Sequence, residues 1–485
     1  MRYYLLISIL VLSVSLSAQD NQEFKKSVLE KTEVDLLMSY YTQDGSNSSV
    51  GGGIGTEKLK NGTPTIVLTL PLNADDVLTI DAGLSAYSSA SSSNLNPFVS
   101  GASNGEDEED EEDEEDDDKG IVAQDIITGT PWYASSGASK EDVLGTFSVN
   151  YEHSSDNRNN TWSAHGSFST EYDYTSFGFG AGFSKLFNQK NTEIGLKANV
   201  YLDQWRPEYP TELKTFVEVE GDLNDGFFED ATIWHEDVNN PNLSYNPNKF
   251  NTIDQTERNS YSASFSFSQI LSKKLQTSVF FDVVHQQGLL STPYHRIYFS
   301  DTENFYIGNS ASYFQEQIPY DKPQNKDYFM LADDIERLPN TRLKIPIGIR
   351  LHYYINEFLT LRNYYRYYWD DWGIVAHTYS IEIPVKIGKG FTLYPNYRYY
   401  TQNEARYFAP FNTHVSTETY YTSDYDLSQF QSNQYGIALK YIDLLSKLKL
   451  WKIALKSIDV RYSHYDRTTG LNADIVTAGM KFIVD

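Results

Sequence analysis

The chain of 485 residues has no cysteine. That single absence excludes disulfide scaffolds, thiolate zinc sites, cysteine nucleophiles and cysteine-ligated iron–sulfur clusters. Basic residues are scarce too, 39 against 66 acidic, giving a net charge of −27. A nucleic-acid partner would need a basic face, so that class is set aside. Beyond residue 20 no apolar run reaches 18 residues, so no transmembrane helix is expected. The nine histidines form neither an HExxH nor an HxxxH pair. No GxSxG, phosphate-binding loop or dinucleotide fingerprint occurs, so no cofactor is implied and no enzyme activity is expected.

What is abundant is aromatic: 15% of residues, with 38 tyrosines. Disordered chains are poor in aromatics, and many tyrosines at modest hydrophobicity suit a surface that meets something half wet and half apolar. Residues 1–18 read as a secretory signal peptide, with Arg2, an apolar stretch from Leu5 to Leu16 and the small pair Ser17-Ala18. Export without helical spans leaves a membrane β-barrel open, because barrels escape hydropathy windows.

The decisive pattern is alternation with a period of two over segments of roughly ten residues, the length of a tilted membrane strand. In 341–354, Leu343, Ile345, Ile347, Ile349 and Leu351 alternate with Arg342, Lys344, Gly348, Arg350 and His352. The same alternation runs through 192–203, 358–370 and 390–402. Tyrosine and tryptophan gather near segment ends, as in Tyr364 to Trp372, which suits interfacial girdles. The fold class read from this is all-β, a transmembrane antiparallel barrel of about sixteen strands, fourteen to eighteen being compatible. Strands are expected near 33–42, 62–72, 76–88, 143–153, 160–172, 174–186, 192–204, 257–271, 275–287, 341–354, 358–370, 373–386, 390–403, 430–442, 455–466 and 472–484. The barrel domain then occupies 19–485. Short turns alternate with long external connections at 89–142, 205–256, 288–340 and 404–429, and the stretch 443–454 reads as a turn carrying a short amphipathic helix.

Glu106 to Asp118 is thirteen consecutive acidic residues in the Ser-rich connection 89–142. Removing Arg2 with the leader takes the charge to −28, of which this run supplies 13. Such a run repels itself over roughly 8–10 Å, so it reads as an external, cation-condensing bristle marked by Glu106, Asp110, Glu114 and Asp118. It lacks the Gly and Asn spacing of an ordered calcium loop, and no defined metal site is assigned. The glycines of FGFGAG (177–182) alternate within a strand and read as lumen space for bulky neighbours rather than as a phosphate cradle.

Seven basic residues fall on the polar phase of four consecutive strands: Arg342, Lys344, Arg350, Arg362, Arg366, Lys386 and Arg398. In a barrel they share one wall of the lumen and bias passage toward anions. Alternatively they pair with acidic residues of an inward-folded 288–340 loop that constricts or plugs the lumen. A catalytic grouping of Asp370, Asp371, His285 and His295 is a weaker option, since DDWG is also what a tight turn demands.

The phrases STPYHRIYF (291–299), ERLPNTR (336–342), YYRYYWDDWGIVAHT (364–378) and YPNYRYYTQNEARYF (394–408) resemble an uncharacterised, domain-of-unknown-function family of outer-membrane proteins common in Bacteroidota and also found in Proteobacteria. The resemblance covers most of the chain beyond the leader and implies an outer-membrane barrel with no assigned activity. It also implies a setting near extracytoplasmic redox genes, hence an alternative role as a non-conducting accessory barrel with a periplasmic or lipoprotein partner. The ending Phe482-Ile483-Val484-Asp485 departs from the usual aromatic barrel terminus. The leading expectation is a pore or binding barrel for small solutes in the outer-membrane bilayer, with cations gathered at the acidic loop.

Overall fold

The computed structural model describes residues 27–89, 142–229, 232–235, 244–308, 328–443 and 448–484. The leader and the acidic run Glu106–Asp118 lie outside the described residues.

Sixteen antiparallel strands form one closed barrel. In chain order they are β1 (Thr32–Asp44), β2 (Leu59–Pro71), β3 (Asp76–Ser89), β4 (Asp142–Ser154), β5 (Asn160–Thr170), β6 (Tyr174–Phe187), β7 (Thr192–Trp205) and β8 (Arg258–Ser272). There follow β9 (Leu275–Gly288), β10 (Thr341–Tyr354), β11 (Thr360–Asp370), β12 (Val375–Glu382, continued by Val385–Lys386), β13 (Phe391–Gln402), β14 (Phe430–Ile442), β15 (Ile453–Arg467) and β16 (Asn472–Val484). Each pairs with its chain neighbours, and β1 closes the ring on β16 in a register running from Thr32↔Val484 to Asp44↔Asn472. Closure removes the free sheet edges, so the strand N–H and C=O groups pair along the ladders rather than with water. None of the described helices is long and apolar enough to cross a membrane.

The barrel wall is inside out relative to a soluble protein. Every one of the sixteen strands exposes at least one large apolar side chain, among them Ile66, Phe147, Phe179, Leu196, Phe281, Ile347, Tyr365, Ile437 and Met480. Alternation sends these outward and their polar neighbours inward, as expected where hydrocarbon lies outside and water inside. Aromatic residues ring the short-turn end, including Trp162, Phe391 and the 92%-exposed Trp451. The wall is that of a membrane-spanning β-barrel.

Its dry core lies in the loops. Every large side chain below 2% exposure among the described residues, including Phe228, Trp234, Tyr298, Ile307, Leu331 and Tyr421, belongs to the connections 206–257, 289–340 or 403–429. Those connections carry the helix α1 (Thr211–Glu218) and short pairings, Ile233–Trp234 against Tyr306–Ile307 and Arg296–Ile297 against Asp334–Ile335. The product is a folded cap built on the long-connection end of the barrel.

Some expectations change. The links 171–173, 371–374 and 468–471 are tight, as the expected strand bounds place them, so the long-connection end does not carry long loops throughout. Conversely, 45–58 is a loop at that end that periodicity does not register, with a single helical turn at Ser49–Gly51. The amphipathic helix expected within 443–454 is replaced in its described part by a hairpin, Lys449–Leu450 pairing with Ile453–Ala454. Trp451 at its tip takes φ +55, the left-handed geometry that a helix does not contain.

Candidate functional site

Strand register decides which side chains meet inside the barrel. Antiparallel partners share a face, so the pairs Arg350↔Tyr364, Arg362↔Glu382, Ser380↔Arg398 and Arg398↔Gln434 run from β10 to β14 along one lumen wall. Together they line a cavity of about 450 Å³, whose walls also include His352, Asn396 and, from β15, Arg461. Four arginines thus face one cavity with a single carboxylate, Glu382, among its lining residues. Glu382 is bound 2.7 Å from Arg362 and 3.3 Å from Arg461. Arg350 and Arg398 have no ion pair among the described residues. The Arg350 guanidinium instead rests 5.0 Å from the centre of the Phe280 ring and 5.5 Å from that of Tyr364, and these two rings are parallel within 7°. Aromatic faces hold a cation in place without neutralising it, leaving its charge directed at the cavity.

Of the seven basic residues marked in the sequence, Arg350, Arg362 and Arg398 line this cavity. Lys344 and Arg366 share the inward phase nearer the cap, and Lys386 lies on it at the short-turn end opposite Thr392. Arg342 is used structurally. It donates to Asp370 Oδ2 at 2.5 and 3.0 Å and lies 4.2 Å from the centre of the Trp372 ring. Sequence reasoning missed Arg461, although the alternation of Asp459, Arg461 and Ser463 with Val460 and Tyr462 carries the same signal. The FGFGAG glycines do provide space: a Cβ at Gly178 would lie 2.8 Å from the Tyr201 ring.

The catalytic grouping considered from sequence does not assemble. His285 pairs with Leu343 and so faces outward, whereas Asp370 pairs with Lys344 and faces inward. The barrel wall separates them. Asp370 is fully buried and accepts from Arg342, Tyr368 Oη and the Ile374 N–H, while Asp371 accepts from the Leu343 N–H. Asp370 closes the β11–β12 turn, and Asp371 ties that turn to β10.

Above the cavity the cap is tied to inward-facing strand ends. Gln402 at the end of β13 donates to the carbonyls of Asp426 and Ser428. Arg467 at the end of β15 donates to Asp426 Oδ1 at 2.5 Å and to the Tyr425 carbonyl. Arg296 joins the cap helix to the 45–58 loop through Glu212 Oε1 at 2.7 Å and the Val50 carbonyl. Two buried acidic residues of 289–340 are engaged within the cap: Asp334 binds Arg337 and Tyr421, and Glu336 binds Thr292 and Thr422. Among the described residues neither of them forms an ion pair with the cavity arginines, two of which pair with Glu382 instead. Negative charge accumulates where the cap meets the barrel. Burial, with Asp426 beside it, pushes the Glu57 carboxyl up to about 7, and the same two causes raise Asp424.

Comparison with curated protein sequences finds no match. Solved structures similar to the chain include one described as a bacterial polysaccharide outer membrane secretin, at 8% identity and a TM-score of 0.39, covering 93% of this chain and 98% of that one. The Pseudomonas putida toluene transporter TodX is similar at 8% identity and a TM-score of 0.36, with 94% and 90% covered. Pseudomonas aeruginosa OccK1 (OpdK) is similar at 9% identity and a TM-score of 0.33, with 94% and 99% covered. Residues 11–457 match the family model described as "Protein of unknown function (DUF3570)", and the chain belongs to that family.

Proposed function

We propose that the protein is a capped outer-membrane barrel that binds and admits small anionic solutes, with the arginine-lined cavity as its selectivity site. The observation that carries this reading is the ratio of charges there: Arg350, Arg362, Arg398 and Arg461 around a cavity of about 450 Å³ that one carboxylate, Glu382, offsets. Guanidinium groups suit carboxylate, phosphate or sulfonate groups because their planar fork donates two hydrogen bonds to two oxygens. The volume lies in the range of small-molecule sites. The acidic run Glu106–Asp118 lies outside the described residues and has no part in this reading.

Planar-bilayer conductance under a salt gradient tests the proposal. The expected result is an anion-selective reversal potential that moves toward zero in Arg350→Gln, Arg362→Gln and Arg398→Gln. An unchanged potential in all three overturns the selectivity site. The packed cap supports a second reading, a barrel that binds solutes without conducting. A protein that never conducts, even with residues 289–340 removed, yet binds anions through the same arginines, selects that reading instead.

A further inference from the structure

We propose that the cap holds one divalent transition-metal ion between His295, Glu336 and Asp424. The first two stand at opposite ends of the 289–340 connection, and the third comes from 403–429. One donor atom from each lies within 4.8 Å of the others. An ion there would bind together the 289–340 and 403–429 connections, which already pair through Phe299↔His414 and Arg337↔Tyr421.

The histidine carries the argument. His295 is 5% exposed, and its Nε2 is 3.1 Å from Ser49 Oγ. Its Nδ1 is buried without a hydrogen-bond partner and faces Glu336 Oε1 at 3.5 Å. When Nε2–H is donated to Ser49, the Nδ1 lone pair faces a carboxylate oxygen; a proton or a metal ion between them relieves the repulsion, and a metal ion also engages Asp424. Two ligands each at about 2.1 Å from a tetrahedral ion lie about 3.4 Å apart, which is the spacing seen.

The surroundings are those of ligands held ready. Glu336 is oriented by the Thr292 N–H at 2.6 Å and the Thr422 hydroxyl at 2.5 Å. Asp424 is oriented by the Asp426 N–H at 2.9 Å. Outer partners of this kind fix ligand geometry in metal sites. Among the described residues no lysine or arginine forms an ion pair with Glu336 or Asp424. Arg467, the cation beside them, is engaged with Asp426. Two carboxylates balance a dipositive ion, and the imidazole nitrogen favours zinc and its neighbours over calcium or magnesium. Water completes the coordination.

The full-length protein, stripped with EDTA and equilibrated in excess Mg²⁺ to occupy the acidic run, is titrated with Zn²⁺ and separately with Co²⁺. The expected result is one tightly held equivalent per chain, visible d–d absorption from bound Co²⁺, and protection of 289–340 and 403–429 from protease. His295→Asn and Asp424→Asn should each weaken Zn²⁺ binding by about a hundredfold, the upper end of what loss of an outer partner alone costs. His295→Cys should retain it. Asp424→Asn keeps the test open where the His295 variant fails to assemble. A stripped protein that takes up no equivalent above the Mg²⁺ background, or that binds Zn²⁺ equally in both variants, overturns the site. Because the readouts are stoichiometry, spectrum and proteolysis, the outcome does not depend on whether the lumen conducts anions.

Discussion

Gly348 on β10 lies beneath the ring of Phe280, its register partner on β9, so closely that any Cβ at 348 would collide with that ring. Two residues along β10, Arg350 rests against the same ring and against Tyr364. The glycine thereby sets the height of the aromatic shelf that aims the Arg350 charge. Gly348→Ala is expected to push Phe280 aside at an overpacking cost of about 1–3 kcal/mol. The barrel should still assemble, since the ring has lumen space to move into. Anion affinity, measured by calorimetry with a small dicarboxylate, should fall several-fold. Unchanged affinity would show that the shelf is not what positions Arg350.

Asp370 offers a different kind of test, because it is fully buried and holds the buried end of Arg342. Removing one partner of a buried pair leaves an uncompensated charge, at a cost of about 3–5 kcal/mol. Asp370→Asn retains part of the hydrogen bonding to Tyr368 and Ile374, so a loss of about 3 kcal/mol is expected in urea unfolding from lipid vesicles. If stability is unchanged but solute binding is lost, Asp370 belongs to the binding site and the structural assignment is wrong.

The barrel was legible in the sequence because each strand separates hydrocarbon from water, and that contrast writes a period of two into β7, β10, β11 and β13. The sixteen strands and the even count follow from it. The cap was not legible. Its core residues Ile233, Trp234, Ile307 and Leu331 come from separate connections, in pairings only two or three residues long, and share no local period. Proximity in sequence also misled: His285 and His295 are ten residues apart, but β9 ends between them at Gly288, leaving one on the outer wall and the other in the cap. His295, Glu336 and Asp424 converge only through the tertiary fold, at separations no sequence motif specifies. The legible part of the cavity was the alternation placing Arg350, Arg362 and Arg398 on one phase, whereas Arg461 arrives from β15, outside the four strands where basic residues are densest.

The cap should be separable from the barrel in stability. Ile307 has 0% exposure and packs in the same cluster as Trp234 and Tyr306, a cluster that contains no barrel-strand residue. Ile307→Ala removes buried methyl groups and leaves a cavity, at a cost of about 2–5 kcal/mol. The loss should appear as faster protease cleavage within 289–340 and faster amide exchange at 305–308, with the heat-modifiable migration of the barrel on gels unchanged. Conductance should rise if the cap closes the mouth. Equal loss of cap and barrel would mean that the two fold as one cooperative unit.

The cap also predicts a pH response outside the membrane. Burial pushes the Asp333 carboxyl up to about 6, even though it accepts from the Phe299 N–H and the Thr302 hydroxyl. An unfolded aspartate titrates near about 3.9, so the folded cap holds this proton more tightly than the unfolded chain does. Stability from Asp333 is therefore complete below about pH 4 and is lost as the pH rises through about 6, an effect of about 2–3 kcal/mol. Asp333→Asn keeps an acceptor for both donors and carries no charge, so it should flatten this dependence and leave the variant more resistant to cap proteolysis at pH 7 than the parent. A parent whose cap is equally protease-resistant at pH 4.5 and pH 7, with no gain in the Asn variant, would mean that Asp333 is ionised at little cost where it lies.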